Sequence, residues 1–151
     1  MSSFVGNILC KIDSKGRIAL PSAFRKQLSK QAHGSFVIKK DMFENCLVLL
    51  PYDEWERQVE KIRGRLNPFN RQHNRFLRNF FKDVSILTLD SNNRLLIPKE
   101  FLNFIEVSDE VFLIGLDRKI ELWNKETFEK YITEYEGFNE DMEKFLNFNN
   151  E

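Results

Sequence analysis

Apolar positions alternate from Ile8 through Cys10 to Ile12, with Lys11 between the last two, and a period of two marks a half-buried strand over residues 4–12. A polar loop follows, Asp13-Ser14-Lys15-Gly16-Arg17, and Arg17-Ile18-Ala19-Leu20 resumes as a strand. Pro21 ends it. Lacking an N–H, a proline fits the first turn of a helix, here predicted over residues 22–30 with Phe24 and Leu28 on one face. Residues 36–38 and 46–50 read as two more strands around a turn containing Asp41 and Asn45. The period then lengthens: Trp55, Val59, Ile62 and Leu66 form one apolar stripe, predicting a helix over 52–66. Asn67-Pro68 breaks it. A second helix, 69–82, has Phe76, Leu77, Phe80 and Phe81 on one side. Its other side carries Arg71, Arg75, Arg78 and Lys82 within an arc of about 60°, at ~100° per residue.

Beyond residue 83 the pattern begins again. Asp90-Ser91-Asn92-Asn93-Arg94 repeats the frame of the first loop 77 positions later, Leu95-Leu96-Ile97-Pro98 repeats Ile18-Ala19-Leu20-Pro21, and Lys99-Glu100-Phe101 repeats Ser22-Ala23-Phe24. Strands are predicted over 84–89, 95–97, 111–114 and 120–123, and a helix over 127–135 with Phe128, Tyr131 and Ile132 apolar. The turn between the last two strands, 115–119, is shorter than its first-copy counterpart. The expected organisation is a first repeat over 1–51, a helical insertion over 52–83, a second repeat with its C-terminal helix over 84–136, and an acidic tail over 137–151. Met142, Phe145 and Leu146 are spaced for a helical turn, but the acidic, Asn-rich composition of that tail predicts fraying.

Composition narrows the class. With 151 residues, 42% of them hydrophobic and including 15 Phe, the chain can bury one core, or two half-domains that depend on each other. No apolar run approaches the ~20 residues that span a bilayer, and Met1-Ser2-Ser3-Phe4 opens no basic-plus-apolar leader, so a cytoplasmic protein is expected. Cys10 and Cys46 lack metal-ligand spacing, and Cys10 sits in the alternating pattern of a buried, reduced thiol. The zero net charge conceals a strong polarity. Residues 1–40 hold eight Lys and Arg against Asp13 alone, and residues 61–82 hold seven against no acid, whereas residues 106–151 hold thirteen acids against five bases.

The two loops carry the candidate chemistry. An Asp at the start of a turn bonds its own backbone two residues on, so Asp13 and Asp90 are expected to build the turns. Gly16 supplies a positive φ, and Asn93, at the equivalent position, is the non-glycine residue that best tolerates it. No turn requires Lys15, Arg17 or Arg94. Arginine presents five donors in a planar fork suited to phosphate or to guanine O6 and N7, and a two-stranded ribbon fits the major groove. The bland alternative for Arg17 is an ion pair with Asp13 that braces the hairpin. The basic stripe of residues 71–82 reads as a solvated helix face, or as a DNA-flanking or subunit-contact surface.

The doubled Asp-x-x-x-Arg, each copy followed by an apolar strand and a Pro, together with the Glu121-Leu122-Trp123 ending, resembles the MraZ family of bacterial transcriptional regulators over about residues 4–135. That family lies within the AbrB/SpoVT-like swapped-hairpin superfamily. The resemblance implies an α+β, mainly β fold: an internally duplicated, double-psi-like barrel of swapped hairpins with a helical insertion and a C-terminal helix. It also implies a repressor of the division and cell-wall gene cluster that binds short direct repeats of double-stranded DNA near its own promoter. Such proteins act as a ring-shaped homo-oligomer, expected here with eight or more copies, and associate with the nucleoid. Arg17, Lys15 and Arg94 take the DNA-contacting positions by this resemblance. The second loop departs from the family pattern at Asn92-Asn93, where a Gly commonly precedes the Arg, and has no counterpart to Lys15, so the first loop is the principal candidate.

Two other classes of protein share parts of this pattern. Duplicated Asp-Ser pairs are a feature of pseudo-symmetric aspartic proteases, which need two carboxylates sharing one proton. Here Lys15 and Asn92 replace the glycine of that class, and a nearby Arg would hold each Asp ionised, so no catalytic residue is assigned. An antitoxin-like interaction barrel is the second rival; antitoxins of the superfamily usually carry one copy rather than two. His33 and His73 lack partners for a triad or metal site, and no cofactor or metal is expected.

Overall fold

The computed structural model describes residues 1–146. The strands are β1 (Phe4–Lys11), β2 (Arg17–Ala19), β3 (Ser35–Lys40), β4 (Leu47–Pro51), β5 (Val84–Thr88), β6 (Arg94–Leu96), β7 (Glu110–Asp117) and β8 (Lys119–Trp123). The helices are α1 (Ser22–Gln27), α2 (Tyr52–Arg63), α3 (Arg71–Phe81), α4 (Lys99–Phe104), α5 (Lys125–Thr133) and α6 (Phe138–Leu146), with a 3₁₀ turn at Lys30–Ala32. Six strands form one antiparallel sheet in the order β1-β7-β8-β4-β3-β5, and β2 and β6 form a separate ribbon.

That order shows the swap directly. The first copy's opening strand, β1, pairs with β7 of the second copy, and the second copy's β5 pairs with β3 of the first. A pseudo-twofold axis runs between the central strands β4 and β8. The fold is α+β and internally duplicated, but the six-stranded sheet does not close: β1 and β5 remain edges, and the short ribbon covers the opening instead. Alternation places Phe36, Ile38, Leu47, Leu49, Leu113 and Leu122 on the inner face, where they meet Ile18, Leu20, Leu95 and Ile97 from the ribbon and its extensions. Phe24 of α1 and Phe101 of α4 fill equivalent positions in this core, each fully buried. Aromatic side chains of this size contribute strongly to burial.

The outer face of the sheet is covered by the longer helices. Val37, Val48 and Leu50 pack under Trp55 of α2, whose indole stacks on Phe80 of α3 at 5.5 Å between centroids. At the other end, Cys46, Ile114 and Trp123 pack under Phe128 of α5. Where β1 crosses β7, Gly6 faces Gly115, and a Cβ on Gly115 would lie 2.8 Å from the backbone of Phe4. Only a glycine admits so close an approach.

Several elements differ from the sequence expectation. α1 ends at Gln27 and gives way to the 3₁₀ turn, and α2 ends at Arg63, before the Asn67-Pro68 break. Pro21 and Pro98 cap their helices from outside the first turn, because their ψ values of 142° and 140° are extended. The turn between β7 and β8 tightens to Asp117-Arg118, with Asp117 at φ 63°. The expected frayed tail is corrected most: residues 138–146 form α6. Gly137 accepts from the N–H of Asp141, and Asp141 accepts from the Tyr135 hydroxyl, which ties the helix start to the end of α5. The remainder of that tail, 147–151, lies outside the described residues.

Candidate nucleic-acid interface

Both loops fold into the same turn. Asp13 Oδ1 accepts from the backbone N–H groups of Lys15 and Arg17, each at 2.9 Å, and the Asp13 carbonyl accepts from Gly16 at 3.0 Å. Asp90 does the same for Asn92 at 2.8 Å and Arg94 at 2.9 Å, with Asn93 donating to its carbonyl at 3.0 Å. Gly16 sits at φ 89° and Asn93 at φ 60°, the left-handed region that each residue type tolerates. The bond from the Arg17 N–H, joined by those from its side chain and from Lys15, holds the Asp13 carboxyl at about 2, below its ordinary 3.8. Asp90 is lowered for the same reason, led by the N–H of Arg94. Both aspartates therefore stay ionised.

Ionised aspartates then aim the arginines. Arg17 Nε donates to Asp13 Oδ2 at 2.7 Å, and Arg94 Nε donates to Asp90 Oδ2 at 3.0 Å. Each side chain is about 30% exposed, sealed neither in the core nor fully in solvent. In both, the two terminal Nη groups make no hydrogen bond among the described residues. The bracing ion pair and a free donor edge thus coexist in one guanidinium, and the pair fixes where that edge points.

The two tips interlock. Gly16 accepts from the N–H of Ile97 at 2.9 Å, and Asn93 accepts from the N–H of Leu20 at 3.0 Å, so each turn is closed by the other copy's strand. Between them runs the β2–β6 ribbon, with Arg17 opposite Leu96, Ile18 opposite Leu95 and Ala19 opposite Arg94. Ile18 and Leu95 are fully buried on one face. Side-chain alternation puts Arg17, Ala19, Arg94 and Leu96 on the other. Arg17 and Arg94 are diagonal neighbours there, at roughly 7–8 Å between backbones in such a pair.

The surroundings of the two tips are unequal. Exposed Lys15 extends the first, and Lys99 lines the same shallow depression beside Lys15 and Gly16. Lys99 was missed at the level of sequence; its signal was the repeat itself, since the swap brings the start of α4 next to the first loop. At the second tip Asn92 replaces Lys15, and in the repeat alignment Ser22 replaces Lys99.

Elsewhere the fold joins groups that lie apart in sequence. Cys46 Sγ and the carboxylates of Asp41 and Glu121 lie within 4.8 Å of one another. Both carboxylates already have donors: Phe43 and Glu44 N–H for Asp41, and Trp123 Nε1 and Lys119 for Glu121. Burial pushes the Cys46 thiol up, so it stays protonated. Burial likewise raises Cys10, to about 11. His33 holds a left-handed turn at φ 52°, and His73 Nδ1 accepts from Asn67 N–H. No helix among the described residues is long and apolar enough to cross a membrane.

Duplicated, swapped hairpins that interlock two Asp-x-x-x-Arg turns over one ribbon define a double-repeat, barrel-like α+β fold with an open sheet. The MraZ protein family model, described as antitoxin-like, matches residues 3–79 and again 80–149. A protein of Bacteroides fragilis named transcriptional regulator MraZ is 40% identical over 146 residues, covering 97% of this chain and 92% of its own. Its namesake in Phocaeicola vulgatus is 40% identical over 147 residues, covering 97% and 96%. That of Clostridium tetani is 33% identical over 128 residues, covering 85% and 86%. The chain belongs to the MraZ family.

Proposed function

We propose that this protein is a transcriptional repressor that binds double-stranded DNA through the exposed face of the β2–β6 ribbon, without catalysis or cofactor. The observation that carries this reading is the diagonal pair Arg17 and Arg94, each braced by its aspartate and each with a free Nη edge. A guanidinium edge of this kind suits guanine or phosphate, and a two-stranded ribbon is narrow enough for the major groove. Lys15 and Lys99 add charge beside the first tip, making Arg17 the principal contact. The targets are short direct repeats upstream of its own gene, within a division and cell-wall gene cluster. Several ribbons held at fixed spacing in a ring gain avidity, so a chain of zero net charge needs only local basic tips. The working organisation is two repeats, 1–51 and 84–136, with 52–83 inserted between them, in a cytoplasmic, nucleoid-associated protein.

The test is an electrophoretic binding assay with DNA from upstream of the protein's own gene. Wild-type protein is expected to shift it, and Arg17→Ala to lose the shift while retaining its oligomeric state. Retained binding by Arg17→Ala at moderate salt would overturn the assignment of the loop.

A further inference from the structure

The hairpin between β3 and β4 brings metal-binding side chains to one point on the outer face of the sheet. Asp41 opens its turn and Cys46 closes it: the Asp41 N–H donates to the Cys46 carbonyl at 2.9 Å, and the Cys46 N–H donates to the Glu44 carbonyl at 2.9 Å. Glu121 comes from β8 of the other copy, directly opposite Val48. Cys46 lies two residues before Val48, so it shares that face and is a diagonal neighbour of Glu121. The Cys46 Sγ and one oxygen from each carboxylate lie within 4.8 Å of one another. Zinc holds thiolate and carboxylate donors at about 2.0–2.3 Å, which sets them roughly 3.5 Å apart, so small side-chain rotations close the set.

The surroundings suit a ligand set. Cys46 is 0% exposed, and its Sγ makes no hydrogen bond among the described residues although it faces two carboxylates. Glu121 is 8% exposed, and its Oε1 is fixed by the Trp123 Nε1–H at 2.9 Å, the kind of outer contact that orients a ligating carboxylate. Asp41 accepts its two turn N–H groups, from Phe43 and Glu44, on Oδ2 and keeps Oδ1 free among the described residues. The sheet itself does not need a charge here. Val48 holds the position equivalent to Glu121 across the pseudo-twofold axis, where it packs under α2. An open depression reaches Asp41 and Glu121 between Glu44 and Tyr131, which gives an ion a way in.

We propose that Asp41, Cys46 and Glu121 bind one divalent transition-metal ion of the zinc class. A thiolate beside two carboxylates favours zinc over magnesium or calcium, which take oxygen donors. Binding breaks the Cys46 S–H bond, forms a metal–sulfur bond and releases the proton to solvent. Three protein donors leave a fourth position to water from the depression. Lys119 is the competitor: its Nζ lies 3.5 Å from Glu121 Oε2, and that ion pair opens as the metal enters. The ion clips the first copy's hairpin to the second copy's β8, on the side of the sheet away from the β2–β6 ribbon.

Isothermal titration of the full-length, chelator-treated protein with zinc chloride tests this, with cobalt(II) as a spectroscopic probe. One zinc ion per chain is expected, with a thiolate-to-cobalt charge-transfer band in the near ultraviolet and no uptake of magnesium. Cys46→Ser and Glu121→Gln should each weaken zinc binding by at least about tenfold, and Cys46→Ser should abolish the band. Lys119→Gln should tighten binding by up to about fivefold, the equivalent of removing an exposed ion pair, a gain that no misfolded chain can show. Absence of zinc uptake by the wild type would overturn the site. So would a Cys46→Ser protein that binds zinc as tightly as wild type, which would put the ion on surface acids, or a Lys119→Gln protein that binds it more weakly.

Discussion

Residues 13–17 and 90–94 trace the same turn with the same hydrogen bonds, yet they hold out different chemistry. Each has an Asp that accepts two backbone N–H groups and one guanidinium Nε. The first adds Lys15 and borrows Lys99 from the other copy; the second has Asn92 in place of Lys15. Duplication has kept the scaffold and let the cargo diverge. The turn is a structural device, whereas charge at its apex is free to vary because no internal bond depends on it.

The sharpest way to break that comparison is to remove each fork. Arg17→Ala should reduce affinity for the target DNA by at least about tenfold, since a bidentate arginine contact contributes about 1–3 kcal/mol and the loss recurs in every subunit. Arg94→Ala should cost less, and equal losses in a binding titration would mean that the two tips are equivalent. Next comes the backbone. Gly16 has a positive φ, and a Cβ there would meet the Ile97 carbonyl at 3.1 Å. Gly16→Ala should therefore destabilise by about 1–3 kcal/mol in urea unfolding. Asn93→Gly, at the matching position, should change stability by less than about 1 kcal/mol.

Two smaller effects sharpen the comparison. Asn92→Lys gives the second tip the missing charge, and should steepen the salt dependence of DNA binding by about one unit of slope per engaged subunit. The acid response is the smallest. The folded Asp13 carboxyl, at about 2, lies below its ordinary 3.8, so its stabilising contribution is complete above pH 3.8 and is lost as pH falls through 2. Asp90 is shifted in the same direction. Asp13→Asn should flatten the dependence of stability on pH within that window, as read by thermal unfolding in acid.

How much was legible in the sequence follows from range. The turns were local: an Asp, a Gly or Asn and an Arg within five residues carry most of their own geometry. The strands announced themselves by period. Strand partners did not, because pairing β1 with β7 spans more than a hundred residues, and only the family resemblance pointed to a swap. The diagonal placement of Arg17 and Arg94 depends on the β2–β6 register, which no residue in either strand specifies alone. Lys99 was hidden for the same reason. In α6, composition misled: the acidic residues that predicted fraying occupy one side of a helix whose other side carries Phe138, Met142 and Phe145.

Hydrogen exchange of the assembled protein with and without its target DNA tests the central claim most directly. The account predicts new protection in residues 13–19 and 90–96, with residues 71–82 unchanged. Protection confined to 71–82, with both tips exchanging as before, would contradict it.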